Sequence, residues 1–271
     1  MMRSLWTAAS GMKGQQTAVD TIANNLANVN TNGYKTQNTQ FKSLLYQTLQ
    51  SETTSANGET KPTTAQVGLG TRVASINSVF TDGALLASES QSDVAISGAG
   101  FFGVRGVDGQ TYYTRNGNFV WTLNANGDSE LTNNMGNPVL DTNGNTIVLA
   151  NGIPTDTINI SLDGEISYRN ADGTYTDTNQ AIGLWQFQNP TGLEKTNNSL
   201  FRATDASGAP QNEANGNLRP SRIAQGYLEG SNVNVADEMV NLIISQRAYE
   251  LNSRAITVTD TMLGQANELK R

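Results

Sequence analysis

The chain contains neither cysteine nor histidine in its 271 residues. Without cysteine there is no disulfide scaffold, thiolate zinc site or iron–sulfur cluster. Without histidine there is no Ser–His or Cys–His nucleophile pair, no imidazole metal ligand and no usual general base near neutral pH. Charged residues make up 15% and apolar residues 37%, both below the globular averages of roughly 25% and 45–50%. Basic side chains are the scarcer sign, 17 against 24 acidic, and the net charge of −7 argues against nucleic acid or anionic lipid as a partner. No apolar run approaches the ~20 residues that span a bilayer, so no membrane insertion is expected. Met1 to Ser10 lack the apolar core of a cleavable leader. The expectation is a soluble, unprocessed chain that leaves the cytoplasm, if it does, by another route.

The missing share has gone to turn-forming and small polar residues, with 32 Asn and 26 Gly. The two ends and the middle use them differently. From Leu5, apolar residues recur every seventh position as Leu5, Met12, Val19 and Leu26, and a companion series runs Ala8, Gln15, Ile22 and Val29. This a/d stripe predicts a helix of about 25–28 residues. Asn30-Thr31-Asn32-Gly33 is expected to end it with a left-handed cap. The C-terminal end repeats the design: Val235, Leu242, Tyr249, Ile256 and Leu263 stand at seven-residue spacing. Ala248, Ala255, Met262 and Leu269 run beside them. Asn234 suits an N-cap, Asp237 and Glu238 suit the positive helix end, and Lys270 and Arg271 the negative end.

Between the ends, short apolar or β-branched runs alternate with tight-turn dipeptides: Asp108-Gly109, Asn116-Gly117, Asn126-Gly127, Asn143-Gly144, Asn151-Gly152, Asp163-Gly164 and Asp172-Gly173. Such dipeptides tolerate the positive φ of hairpin turns. The expected architecture is α+β: terminal heptad helices forming a coiled-coil-type domain around an antiparallel β-rich middle. In residue ranges, 1–35 holds the first helix and 36–74 a connecting segment with a long polar loop or extended hairpin at about 49–67. Residues 75–228 form the β domain and 229–271 the second helix.

Several patterns resemble chemistry without completing it. Gly98-Ala99-Gly100-Phe101-Phe102-Gly103 fits a dinucleotide fingerprint, but strand and turn follow where that fingerprint needs a helix. Ser10-Gly11-Met12-Lys13 fits a serine–lysine nucleophile motif without either partner motif. Asp141-Thr142-Asn143-Gly144-Asn145 starts like a calcium loop but lacks its later Gly and Glu. Scattered carboxylates could serve a glycosidase, yet most of the Asp stand in turns. No catalytic residue, cofactor or metal is expected. The heptad stripes allow simple packing of two helices on each other, or assembly with a further helix. The second C-terminal stripe favours assembly, because a single partner would leave it in water at ~1.5–3 kcal/mol per aliphatic side chain.

Ala23-Asn24-Asn25-Leu26-Ala27-Asn28-Val29-Asn30-Thr31-Asn32-Gly33-Tyr34-Lys35 resembles the ANNLAN…TxG(F/Y)K motif of bacterial flagellar rod and hook axial proteins. Asp93 to Phe102 and Tyr113 to Phe119 are similar to that family's opening of the β domain. Ser231-Asn232-Val233-Asn234-Val235 and Gln246-Arg247-Ala248-Tyr249-Glu250-Leu251-Asn252 are similar to its C-terminal motif. Ser4-Leu5-Trp6, Leu44 to Thr48 and the polar insertion after them are most similar to the distal-rod members. The resemblance implies a structural subunit exported by the flagellar type III apparatus without a cleaved signal. It implies polymerisation through the terminal helices into a hollow shaft carrying torque from motor to hook. Itself, proximal rod subunits, hook or hook-junction proteins and envelope ring (bushing) proteins are the implied partners. The family-motif residues are Asn24, Asn25, Leu26, Asn28, Gly33, Tyr34, Lys35, Gln246, Arg247, Ala248, Tyr249 and Glu250. The expected helix seams, within or between subunits, are Leu5, Met12, Val19, Ile22, Leu26 and Val29 with Val235, Leu242, Tyr249, Ile256 and Leu263. A proximal rod or hook-like subunit remains an alternative, as does a secreted adhesive or carbohydrate-active β protein.

Overall fold

The computed structural model describes residues 2–50, 65–124, 127–150, 153–170, 173–216 and 218–269. The expected polar loop at 49–67 falls largely outside the described residues, as do Lys270, Arg271 and the Asn151-Gly152 turn. The chain divides into two compact units. One comprises Met1–Ala27, Gln37–Ser78 and Asn234–Arg271; the other comprises Asn28–Thr36 and Val79–Val233.

The first, helical unit contains α1 (Met2–Ala27) and α2 (Val235–Glu268). Asn234 caps α2: its side chain accepts the Ala236 N–H at 3.1 Å and donates to Asp237 at 2.8 Å, and Asp237 and Glu238 occupy the first turn. The two helices run antiparallel, with Gly11 of α1 against Asn252 of α2 and Gln16 and Val19 beside Gln246 and Tyr249. The other side of α1 carries an antiparallel ribbon, Gln37–Ser43 paired with Thr71–Ser78. Phe41 packs on Gly14, Thr39 bonds Thr21 at 3.0 Å, and the Asn25 carboxamide pairs both backbone groups of Gln37 at 2.8–2.9 Å. A second pair, Tyr46–Gln50 with Ala65–Gly68, continues this ribbon.

The expected boundaries shift accordingly. Residues 37–50 and 65–78 form strands of the helical unit, where a connecting segment with a long polar loop or extended hairpin was expected over 36–74 and the β domain from 75. The β unit starts at Val79, takes in residues 28–36 and ends at Val233. α1 stops at Ala27, so Val29 lies outside both helix and seam, and Gly33 is not a cap.

Every strand pairing in the β unit is antiparallel. Its largest sheet has six strands in the order Glu194–Lys195, Leu200–Arg202, Thr111–Thr114, Phe101–Arg105, Leu184–Gln186 and Gln211–Asn212. Two three-stranded sheets are built on Phe119–Leu123 with Ser129–Asn133 and on Glu165–Arg169 with Tyr175–Ala181. Strand alternation at Phe101–Arg105 sorts two cores. Phe102 and Val104 enter an aliphatic core with Phe119, Leu131, Ile147 and Ile182. Phe101 enters an aromatic one with Tyr113, Trp185, Phe187 and Phe201, whose rings meet edge to face at 4.8–6.0 Å. Most of the expected hairpin glycines, Gly109, Gly127, Gly144, Gly164 and Gly173, have positive φ. Asn116-Gly117 is the exception: Gly117 lies against the Val94 carbonyl, where a Cβ would be 1.6 Å away, and it makes no hairpin.

Gly103, the last glycine of the fingerprint-like run, lies under the Trp185 ring, with 2.3 Å left for a Cβ. Gly103→Ala is expected to destabilise the chain by about 1–3 kcal/mol through overpacking, read by urea denaturation. Burial pushes the Tyr113 phenol from 10.0 up to about 12. The unfolded chain therefore loses this proton first, and stability present below pH ~10 is lost as pH rises towards ~12. Tyr113→Phe should lessen that alkaline loss in denaturation curves taken across this range.

Candidate assembly surface

Helix α2 carries two stripes of different character. Toward α1 the heptad positions include Glu238, Ser245 and Thr259, all buried, with Leu242, Ile256 and Leu263 half-buried between them. Asn252 occupies the same polar series against Gly11. Of the expected α2 seam residues, Val235 and Tyr249 are exposed within the single chain. On α1, Ile22 is buried with Ala8 and Ala18, while Leu5, Met12, Val19 and Leu26 are half-buried. The helices approach closely where Gly11 meets Asn252, and most of the expected large side chains flank that contact.

The second stripe points away from α1. Ile244, Leu251 and Val258 follow one another at seven residues and are 60%, 65% and 53% exposed. They interleave with Ala248, Ala255, Met262 and Leu269 at three- and four-residue steps, the a/d pattern of a helix-packing seam. The sequence reading had found only the second of these two series. The signal for the first, a strict 244/251/258 recurrence, is visible once both are laid on one helix. Gln246, Tyr249 and Glu250 line a groove of about 390 Å³ with Gln16 and Val19 of α1. Arg247 and Glu250 form an exposed ion pair at 3.0 Å, a contact worth at most about 1 kcal/mol.

The remaining family-motif residues lie at the end of α1 and just beyond it. Asn24 is exposed, Asn28 Oδ1 accepts the Thr31 hydroxyl at 3.1 Å, and the Tyr34 carbonyl accepts the Asn232 N–H at 3.4 Å. Gly33, at φ +67°, lies so close to the Arg115–Asn116 backbone that a Cβ would come within 2.6 Å, and its N–H donates to the Glu229 carbonyl at 2.8 Å. Lys35 donates to Glu229 Oε1 and to the Thr81 carbonyl, both at 2.6 Å. Arg115 reaches Glu229 Oε2 at 3.4 Å and the Gly98 carbonyl at 2.6 Å, and stacks over Phe101 at 5.1 Å. Gly83 N–H adds a bond of 3.0 Å to Oε1. Lys35, Arg115 and Glu229 are at most 2% exposed. Burial pushes the Lys35 ammonium below its ordinary value, opposed by the Glu229 carboxylate. Sequence reasoning named Lys35 and missed its partners, since no local spacing connects residues 35, 115 and 229.

The motifs that resembled chemistry serve structure. Ser10 Oγ donates to the Thr7 carbonyl and accepts the Thr71 N–H. Asp141 Oδ1 takes the Asn143 and Asn145 N–H groups of its own turn. Strand Phe101–Arg105 follows Gly98 and Gly100 with no helix. Among the described residues no three His, Cys, Asp or Glu side chains converge to hold a metal.

Three family models match the chain: "Flagella basal body rod protein" over residues 5–35, "Flagellar hook protein FlgE/F/G D1 domain" over 95–168, and "Flagellar basal body rod FlgEFG protein C-terminal" over 224–269. The flagellar basal-body rod protein FlgG of Borreliella burgdorferi is 42% identical over 277 residues, covering all of both chains. Two FlgG proteins of Buchnera aphidicola subspecies are each 39% identical over 272 residues, 99% of this chain and 100% of theirs. The chain belongs to the flagellar basal-body rod and hook protein family. Its three matched spans contain nearly all of α1, all of α2 and, one in each, the buried residues Lys35, Arg115 and Glu229. The family's matched segments thus meet at one carboxylate.

Removing that carboxylate leaves the buried Lys35 without its ion-pair partner and Arg115 with only Asp82, at 3.6 Å. Glu229→Ala is expected to destabilise the chain by about 3–5 kcal/mol in urea unfolding. A loss below about 1 kcal/mol would show that the cluster does not hold the β unit.

Proposed function

We propose that the chain is a structural, non-catalytic subunit of the distal flagellar rod. It polymerises through its terminal helices into the hollow shaft that passes torque from motor to hook. The observation that carries this reading is the outward stripe of α2, apolar at heptad spacing and uncovered within the single chain. Its occupants are helices of neighbouring copies, joined by the half-buried flanks at Leu5, Met12, Val19, Leu26, Leu242, Ile256 and Leu263. The polar series in the α1–α2 contact makes the lone pair a weak one, and helices with open seams gain most of their stability from partners. Folding of the ends is thereby coupled to incorporation, which suits export of an incompletely folded chain through the flagellar type III apparatus. Proximal rod subunits, hook or hook-junction proteins and the envelope rings are its further partners along the shaft. No helix among the described residues is long and apolar enough to cross a membrane. Full-length similarity to basal-body rod proteins supports a rod position in the cell envelope.

Two substitutions separate the seams. Leu251→Asp should abolish polymerisation while leaving the monomer's helix content unchanged, whereas Ile256→Asp should lower both, read by sedimentation and far-UV circular dichroism. Wild-type assembly by both variants would overturn the reading. Electron microscopy of basal bodies from a deletion strain tests the distal position: a shortened rod without a hook is expected. A complete rod lacking only the hook would move the subunit outward.

A further inference from the structure

The β unit carries a groove of about 430 Å³ that the assembly reading does not use. Its size falls within the roughly 300–1,000 Å³ of ligand sites. Segments 88–91, 156–159 and 225–226 line it together with Arg169 and Tyr175, and one side chain ties the first three. Gln225 Nε2 donates to the carbonyls of Gln91 and Ile158, both at 2.9 Å, and its Oε1 accepts the Ile160 N–H at 2.9 Å. The segment before Gln91 is tied down as well, by Ser88 N–H to the Gly226 carbonyl at 2.8 Å and Ser88 Oγ to Asp93. The walls are therefore built in advance of any ligand.

The groove's chemistry is mixed in sign and polar. Glu89 and Asp156 supply carboxylates, Arg169 a guanidinium and Asn159 a carboxamide, all exposed. Tyr175, from the neighbouring strand, is 61% exposed and lines the same space. Ile158 is apolar but buried, so an apolar ligand would find little surface to cover. Two carboxylates against one guanidinium oppose a phosphate or sulfate group. A ring of hydroxyls presents donors and acceptors together and offers a C–H face to an aromatic ring. Glu89, Asp156, Arg169 and Asn159 meet the first property, and Tyr175 the second.

We propose that this groove binds a neutral oligosaccharide, stacked on Tyr175 and held by hydrogen bonds from Arg169 and Asn159 and to Asp156 and Glu89. The inference stands apart from the polymerisation reading, because it uses no residue of the helical unit. Isothermal titration calorimetry of the full chain with triacetylchitotriose and with cellotriose tests it. Saturable binding of either sugar is expected, weakened about tenfold by Tyr175→Ala and reduced by Arg169→Ala. Met135→Ala, an exposed substitution outside the groove, should leave it unchanged. Near-UV circular dichroism checks that the variants keep the aromatic core. Absence of binding by both sugars at 10 mM, or equal affinity in wild type and Tyr175→Ala, would overturn the proposal.

Discussion

One buried carboxylate organises the β unit. Glu229 takes the Lys35 ammonium and the Gly83 N–H on one oxygen and faces Arg115 with the other. Its backbone carbonyl accepts from Gly33. Burying a charge is tolerable only when its lone pairs are met by donors in good geometry. That condition places residues 33–35, 83, 115 and 229 together. Asn232 extends the arrangement: its Oδ1 accepts from the Thr36 N–H and hydroxyl at 2.7 Å, and its Nδ2 donates to the Val79 and Thr81 carbonyls. The segments leading from α1 and into α2 are both held within the same unit by these bonds, so the β unit is complete only when its two flanking segments are present.

The helical unit follows a different rule. Its internal contact is partly polar, with Gly11, Ser245, Asn252 and Thr259 where a self-sufficient helix pair would carry leucine or isoleucine. The large apolar side chains face outward or flank the contact. Burial of each is worth ~1.5–3 kcal/mol, and within one chain that stabilisation is only partly realised. The unit's best hydrophobic surface is thus left open within one chain. The β unit, by contrast, closes two cores of its own.

Legibility differed between these parts for physical reasons. Both helices could be read because a seven-residue recurrence is local and survives in any context. Hairpin turns at residues 109, 127, 144, 164 and 173 could be read because Asn-Gly and Asp-Gly favour positive φ by themselves. Asn116-Gly117 shows where that logic stops: the same dipeptide serves close approach to Val94 instead. Heptad spacing identifies a stripe without saying whether it is covered within one chain or between copies: Tyr249 and Val235 are exposed in the single chain, and Val29 lies beyond the helix end. Most of the strand residues between 37 and 48 and between 68 and 74 had no strand signal, because polar, exposed ribbons lack the alternating pattern that marks a half-buried sheet.

What the sequence determined alone was the set of local choices. These are the two long amphipathic helices, the turn-punctuated β middle, and the exclusion of thiol and imidazole chemistry by composition. What the tertiary structure decided was which distant groups meet. Lys35 and Glu229 stand 194 residues apart, and nothing in either neighbourhood names the other. Their pairing follows from the route of the whole chain, because a buried charge must find its counter-charge wherever the fold brings one within reach.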